Sequence, residues 1–299
     1  MKRNVGNYII NFIKQNIILI ILIIMIIFFQ FKNPSFLTLN NIITILRQGA
    51  CTGILAVGLA IVLIVGGIDL SIGAQVTITG IVLGVLTVVK NWPVWPTVLL
   101  CILMTTIIGF LNGASIFVTN MPPLIATLGM MNIIQGLAYL ANGGLPVYNI
   151  PTSIRTLGQG SVWIIPNPVI VWAIILVIGW FVMEKTKLGR RIFAVGSNEE
   201  AARLSGINTF RVKTIAYIIC GLFAGISGIV MTGRLNSAQT NAGGTLYIEA
   251  LTACVIGGIS MSGGEGKISG IIVGVVIMSA LASGMIAIGL NSYVQLAVK

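Results

Sequence analysis

Residues 48–89 read QGACTGILAVGLAIVLIVGGIDLSIGAQVTITGIVLGVLTVV, and Asp69 is the one charge among them. A bilayer-spanning helix needs about 20 apolar residues. This stretch therefore predicts two spans, over 48–68 and 70–89, joined at a glycine-rich break. The same pattern extends outward. Residues 15–31 (QNIILIILIIMIIFFQF) are charge-free, and residues 91–154 contain no charge at all. Pro122-Pro123 divides that long run into spans near 94–118 and 123–142, because proline lacks the N–H that a helix interior needs. Further spans are expected over 162–183, 214–233, a short 246–258 and 268–289, with another beginning near Tyr293. The reading is an all-α polytopic membrane protein of about 8–10 transmembrane helices, a single domain over residues 1–299.

Composition agrees. Of 299 residues, 57% are hydrophobic and only 8% charged, against about 25% charged in an ordinary soluble domain. A soluble fold of this length cannot bury so much apolar surface. Histidine is absent, which excludes a His-based triad, an imidazole base and a His-ligated metal. Cys51, Cys101, Cys220 and Cys254 each stand alone in apolar sequence, so they read as small buried hydrophobes, without a disulfide framework or zinc site.

The formal net charge is +11, and its distribution gives topology. The segment 184–213 holds Lys185, Lys187, Arg190, Arg191, Arg203, Arg211 and Lys213, seven of the 17 basic residues. Basic short loops stay in the cytoplasm. Counting back six spans places the N-terminus inside, where Lys2, Arg3 and Lys14 agree. The loops near 143–161 and 234–245 then lie outside, with only Arg155 and Arg234. The first span, long and without a small-residue cleavage site after it, reads as an uncleaved anchor. Basic clusters that flank spans exclude nucleic acid as the partner.

Glycines recur at helix-packing spacing in Gly80/Gly84, Gly109/Gly113, Gly221/Gly225 and Gly266/Gly270/Gly274, which predicts closely packed helices. Residues 66–73 (GGIDLSIG) and 257–264 (GGISMSGG) match at five of eight positions. That points to two related halves, as in many transporters, or to convergent glycine-rich turns. The breaks comprise Gly66, Gly67, Asp69, Ser71 and Gly73, and Gly257, Gly258, Gly263, Gly264 and Gly266. Asp69 is either a capping or structurally paired acid or part of a transport path. Glu249 is a functional acid if it lies within its span and an ordinary solvated one nearer the edge.

Within the basic loop, Ser197-Asn198-Glu199-Glu200 reads as a capping box, Ala201-Ala202-Arg203-Leu204 as helix formers and Gly206 as the C′ stop. A short cytoplasmic helix over about 198–205 is expected, either an interfacial connector or a peg for a soluble partner.

Glu200-Ala201-Ala202 followed by Gly206 resembles the EAA-type coupling loop of ABC importer permeases. The wider pattern of Gly196, Asn198, Ala201, Ala202, Ser205, Gly206 and Ile207 is similar to that of ribose/xylose/galactose-type sugar permeases. So are GGIDLSIG and the set Gly257-Gly258, Ser260, Gly263-Gly264, Gly266. The resemblance spans nearly the whole chain in order. It implies a type II importer-like permease of the bacterial cytoplasmic membrane, working as a homodimer or heterodimer with a central pathway. Two cytoplasmic ATP-binding subunits would dock on the coupling helices, and an extracytoplasmic sugar-binding protein would deliver substrate. Members of that family usually end in a complete last span with a basic tail, whereas only Tyr293–Val298 represent it here.

No phosphate-binding loop is present: Gly266-Lys267 lacks glycine at 261 and Ser/Thr at 268. The chain is therefore expected to be non-catalytic and to carry no cofactor. Asn112, Thr127, Asn132 and Gln135 lie in uncharged spans and are candidates for the lining of a neutral sugar's path, or for helix–helix hydrogen bonds. The rival class is an ion-coupled secondary transporter, for which Asp69 and Glu249 are the only intramembrane acids.

Overall fold

A computed structural model of the chain describes residues 5–299, with side chains from Ile18 onward. Lys2, Arg3 and the Lys14 side chain, which carry the N-terminal part of the topology argument, lie outside the described residues.

Thirteen α-helices follow one another among the described residues. The long ones are α1 (Val5–Lys32), α2 (Leu39–Ile64), α3 (Ile72–Gly84, continued by a π-helical turn, Val85–Val89), α4 (Val94–Thr119), α5 (Pro123–Asn142), α7 (Asn167–Lys185), α10 (Thr209–Leu235) and α12 (Gly270–Ala287). Seven helices among the described residues are long and apolar enough to cross a membrane, and α1 adds the apolar stretch Ile18–Lys32. Shorter helices are α6 (Thr152–Gln159), α8 (Lys187–Ser197), α9 (Glu199–Leu204), α11 (Leu246–Ile256) and α13 (Ser292–Val298). Strands β1 (Val147–Tyr148) and β4 (Ser237–Ala238) pair antiparallel, and β2 (Ser161–Val162) pairs with β3 (Ile165–Pro166).

The core is built on α2, whose residues from Gly49 to Ile64 are all buried. A helix apolar on every side is stable only when surrounded, and α7, α10, α11 and α12 gather round this one. The predicted glycine pairs find specific partners. Gly109 and Gly113 of α4 lie against Tyr217 and Thr214 of α10, while Gly221 and Gly225 of α10 lie against Thr105 of α4. The two pairs thus form the two sides of one contact, where missing side chains let the backbones approach. Gly270 and Gly274 of α12 pack on Gly257 and Ala253. Gly266 is not part of that series: it precedes the helix, at φ +146°, and sits on Ile259. The four cysteines are buried and unpaired.

Helix α11 is half-length. Eleven residues rise about 16 Å, half of a ~30 Å hydrocarbon core. A run of turns over 239–245 leads into it alongside α3 and α5. Gly243 packs on Gly73 and donates its N–H to Thr77 Oγ1 at 3.0 Å. Gln135 Nε2 donates to the Thr240 carbonyl at 2.7 Å. Side chains from the spans thus satisfy backbone groups that no helix satisfies, which irregular chain among apolar helices requires.

Candidate functional site

The two glycine-rich segments begin with the same helix stop. At the end of α2, the Gly66 N–H bonds the Leu63 carbonyl and the Gly67 N–H bonds that of Val62. At the end of α11, the Gly258 N–H bonds Val255 and the Ile259 N–H bonds Cys254. Gly66 and Gly258 stand at φ +84° and +83°, the left-handed geometry that glycine tolerates. Gly66 is therefore equivalent to Gly258. The sequence match, which paired it with Gly257, is one residue out of register. Beyond the stop the segments diverge: 67–71 leads into α3 after five residues, whereas 259–269 makes a longer loop before α12.

The first break is held by a buried polar cluster. Asp69 Oδ1 accepts from the Ser71 N–H at 2.9 Å and the Ser71 hydroxyl at 2.6 Å. Asn112 Nδ2, from α4, donates to Ser71 Oγ at 2.9 Å and lies 3.3 Å from Asp69 Oδ2. Gln75 Nε2 donates to the same hydroxyl at 2.9 Å. Thr127 Oγ1 of α5 accepts from the Leu70 N–H at 3.3 Å, and the Tyr217 hydroxyl of α10 donates to the Ile68 carbonyl at 3.2 Å. Asp69, Ser71, Gln75 and Asn112 are completely buried. Asp69 is thus a structurally paired acid that holds the turn before α3. Asn112, Thr127 and Gln135 all bond the two irregular segments, while Asn132 is on the exposed side of α5. Tyr217, Thr77 and Gln75 belong with this set. A lone polar residue in an apolar span was their only signal in the sequence.

Glu249 lies in the first turn of α11 and is buried. Its Oε1 is 2.8 Å from Lys299 Nζ, and Thr52 Oγ1 donates to Oε2 at 3.4 Å. It is not an edge acid in free solvent. Among the described residues, no three His, Cys, Asp or Glu side chains gather as a metal site.

The basic loop folds into two helices, not one. Thr186 Oγ1 caps α8 by accepting from the Gly189 N–H. Ser197 is the last residue of α8, and Asn198 caps α9, with Oδ1 accepting from the Ala201 N–H at 2.9 Å. The Ser197 capping box is therefore replaced by an asparagine cap, because the chain is still helical at Ser197. Glu200, free of any box, pairs with Arg203 at 2.7 Å and holds that guanidinium above its ordinary value. Glu199 pairs with Lys213 at the start of α10. Gly206 at φ +81° ends α9, with the Ile207 N–H returning to the Ala202 carbonyl at 3.1 Å. Ala202 is buried, but Leu204 is 79% exposed.

The three motifs meet. Gly196 in α8 abuts the Ile64 carbonyl and the Gly264 amide. Gly263 touches Gly196 and Gly66, and Gly264 touches Ser197. The Gly264 N–H donates to the Ile64 carbonyl at 2.8 Å. Segments some 60 to 200 positions apart are thus joined at the last turn of α8, just before α9, backbone against backbone.

Relatives give this arrangement a family. The model described as "Branched-chain amino acid transport system / permease component" matches residues 41–299. The ribose import permease protein RbsC of Escherichia coli K12 is 36% identical over 284 residues, 94% of this chain and 88% of the relative. That of Bacillus subtilis is 39% identical over 280 residues, covering 93% and 87%. The xylose transport system permease protein XylH of Escherichia coli K12 is 29% identical over 340 residues, covering 93% and 86%. No solved structure matches the chain. With the family model covering all of the helices from α2 onward, the chain belongs to the family of branched-chain amino acid transport system permease components.

Proposed function

We propose that the chain is the membrane-spanning permease subunit of an ATP-driven importer, moving a ribose-like monosaccharide into a bacterial cell by alternating access. The supporting observation is the meeting of Gly196, Gly66 and Gly263-Gly264 just before α9. A push on α9 reaches the ends of α2 and α11 through backbone contacts that have no side chain to absorb it, and packed backbones shift as units instead of deforming gradually. The names of the relatives supply the sugar.

In this reading α8 and α9 face the cytoplasm, as their basic content favours, and the N-terminus lies on the same side. ATP is hydrolysed on two partner subunits docked against α9. An extracytoplasmic binding protein delivers the sugar, and a second permease copy completes the pathway. Asp69, Asn112, Thr127 and Gln135 position the two irregular segments, and Glu249 holds the start of α11. The sugar shifts the equilibrium only through its different affinity for the two states.

The test is uptake of labelled ribose in proteoliposomes holding the full importer. Charge reversal at Glu199 and Glu200 together with Gly206→Leu should abolish ATP-dependent uptake and capture of the ATP-binding subunits. Uptake that persists unchanged refutes the docking role of α9. Uptake driven by a proton gradient without ATP refutes the importer reading.

A further inference from the structure

The face opposite α8 and α9 carries a basic cavity. The C-terminal end of α2 touches Gly196, and the N-terminus of α10 follows α9 directly, so Arg47 near the start of α2 and Arg234 in the last turn of α10 lie at the far side. Together with Thr44, Gln159 and Leu235 they line a cavity, open to the surface, of about 460 Å³, within the ~300–1,000 Å³ range of small-molecule sites.

Its charge is uncompensated. Arg47 and Arg234 are half-buried, and the Nε of each is buried without a hydrogen-bond partner. Among the described residues the ion pairs are Arg203–Glu200, Lys213–Glu199 and Lys299–Glu249, so neither guanidinium has a carboxylate, and the lining contains no acid. The other polar groups of the wall are already engaged. Thr44 donates to the Asn40 carbonyl at 2.9 Å and Gln159 Nε2 to the Arg234 carbonyl at 3.0 Å. The free donors are the two guanidiniums. Arginine does not deprotonate to relieve such a site, and a buried donor left unsatisfied is costly.

We propose that this cavity binds a phosphate-bearing anion, either a phospholipid headgroup or a free phosphate ester. A phosphate presents three or four oxygens in a tetrahedral array with a charge of up to −2, and so accepts from two separate guanidinium forks with more acceptor sites than the two coplanar oxygens of a carboxylate offer.

The test uses the purified full chain in neutral detergent. Its unfolding midpoint is followed against phosphatidylglycerol, glycerol phosphate and inorganic phosphate, with native mass spectrometry of the lipid-bound form. At least one probe should raise the midpoint, and R47Q/R234Q should weaken that response about tenfold, the loss expected for a charge-assisted hydrogen bond. A response to phosphatidylglycerol alone assigns a headgroup, and a response to glycerol phosphate as well assigns phosphate itself as sufficient. R47K/R234K keeps the charge without the fork, should fall between, and carries the test if the glutamine variant fails to fold. The proposal fails if no probe shifts the native chain, or if the variants respond as the native chain does. It also fails if the substitutions leave the phosphate response intact and instead abolish salt-sensitive capture of an acidic extracytoplasmic protein.

Discussion

The Gly264 amide donates to the Ile64 carbonyl at 2.8 Å, and this bond ties the loop after α11 to the last turn of α2. Gly196 sits over it with no room for a Cβ between it and that carbonyl. Gly196→Val should therefore separate α8 from the two helix ends. Overpacking of this kind costs about 1–3 kcal/mol, so much of the protein should still fold. ATP hydrolysis should continue while ribose uptake falls steeply. Uptake at the native rate would show that the contact transmits nothing.

At Asp69 the test is a swap. Asp69→Asn points an amide donor at the Asn112 amide, and Asn112→Asp sets a second carboxylate beside the first, where neither reaches water. Each single change should cost about 1–3 kcal/mol or more. The double variant restores one acid and one amide. Its thermal midpoint in detergent should lie above that of either single variant, a coupling that a double-mutant cycle measures directly. Strictly additive losses would mean that the two side chains do not interact.

Leu204 is the large exposed apolar residue of α9, while Ala202 on the same helix is buried. Central apolar anchors lose at least about 2 kcal/mol when truncated. Leu204→Asp should abolish co-purification of an ATP-binding subunit and leave the midpoint of the isolated chain unchanged. Normal co-purification would move the docking surface elsewhere on α8 and α9.

The capping arrangement predicts opposite outcomes for neighbours. Asn198→Ala removes the acceptor for the Ala201 N–H and should cost about 1 kcal/mol. Ser197→Ala, inside α8, should be close to neutral. Hydrogen exchange at Ala201 reads the difference, and equal protection in both variants would contradict the asparagine cap.

The spans were legible because a bilayer demands long charge-free runs, and 48–89 or 91–154 meet that demand without any tertiary information. What local pattern could not show was which glycines face one another. Gly109/Gly113 and Gly221/Gly225 each read as packing pairs, yet nothing local says that they share one contact. Segment 239–245 was hidden for a related reason: its backbone is satisfied by Thr77 and Gln135, distant in sequence. Helix α8 was missed because its eleven residues are amphipathic and basic, a pattern that reads equally as a solvated loop. The one-residue slip between Gly66 and Gly258 arose because residue identity favours pairing Gly66 with Gly257, whereas the positive φ that marks each helix stop falls on Gly66 and Gly258.

The shared contact of α4 and α10 provides a graded test of the fold. Gly109→Leu drives a side chain into the Tyr217 carbonyl, and Gly221→Leu drives one into that of Thr105. Both obstacles are helix backbone, which cannot rotate aside, so each variant should lose at least the ~1–3 kcal/mol of ordinary overpacking. Gly136 in α5 has open space where a Cβ would stand, and Gly136→Ala should be neutral or stabilising by up to about 1 kcal/mol through helix propensity. The temperature at which each detergent-solubilised variant loses monodispersity ranks them. If Gly109→Leu and Gly221→Leu match Gly136→Ala, then α4 and α10 do not approach through these glycines and the packing around Tyr217 is wrong.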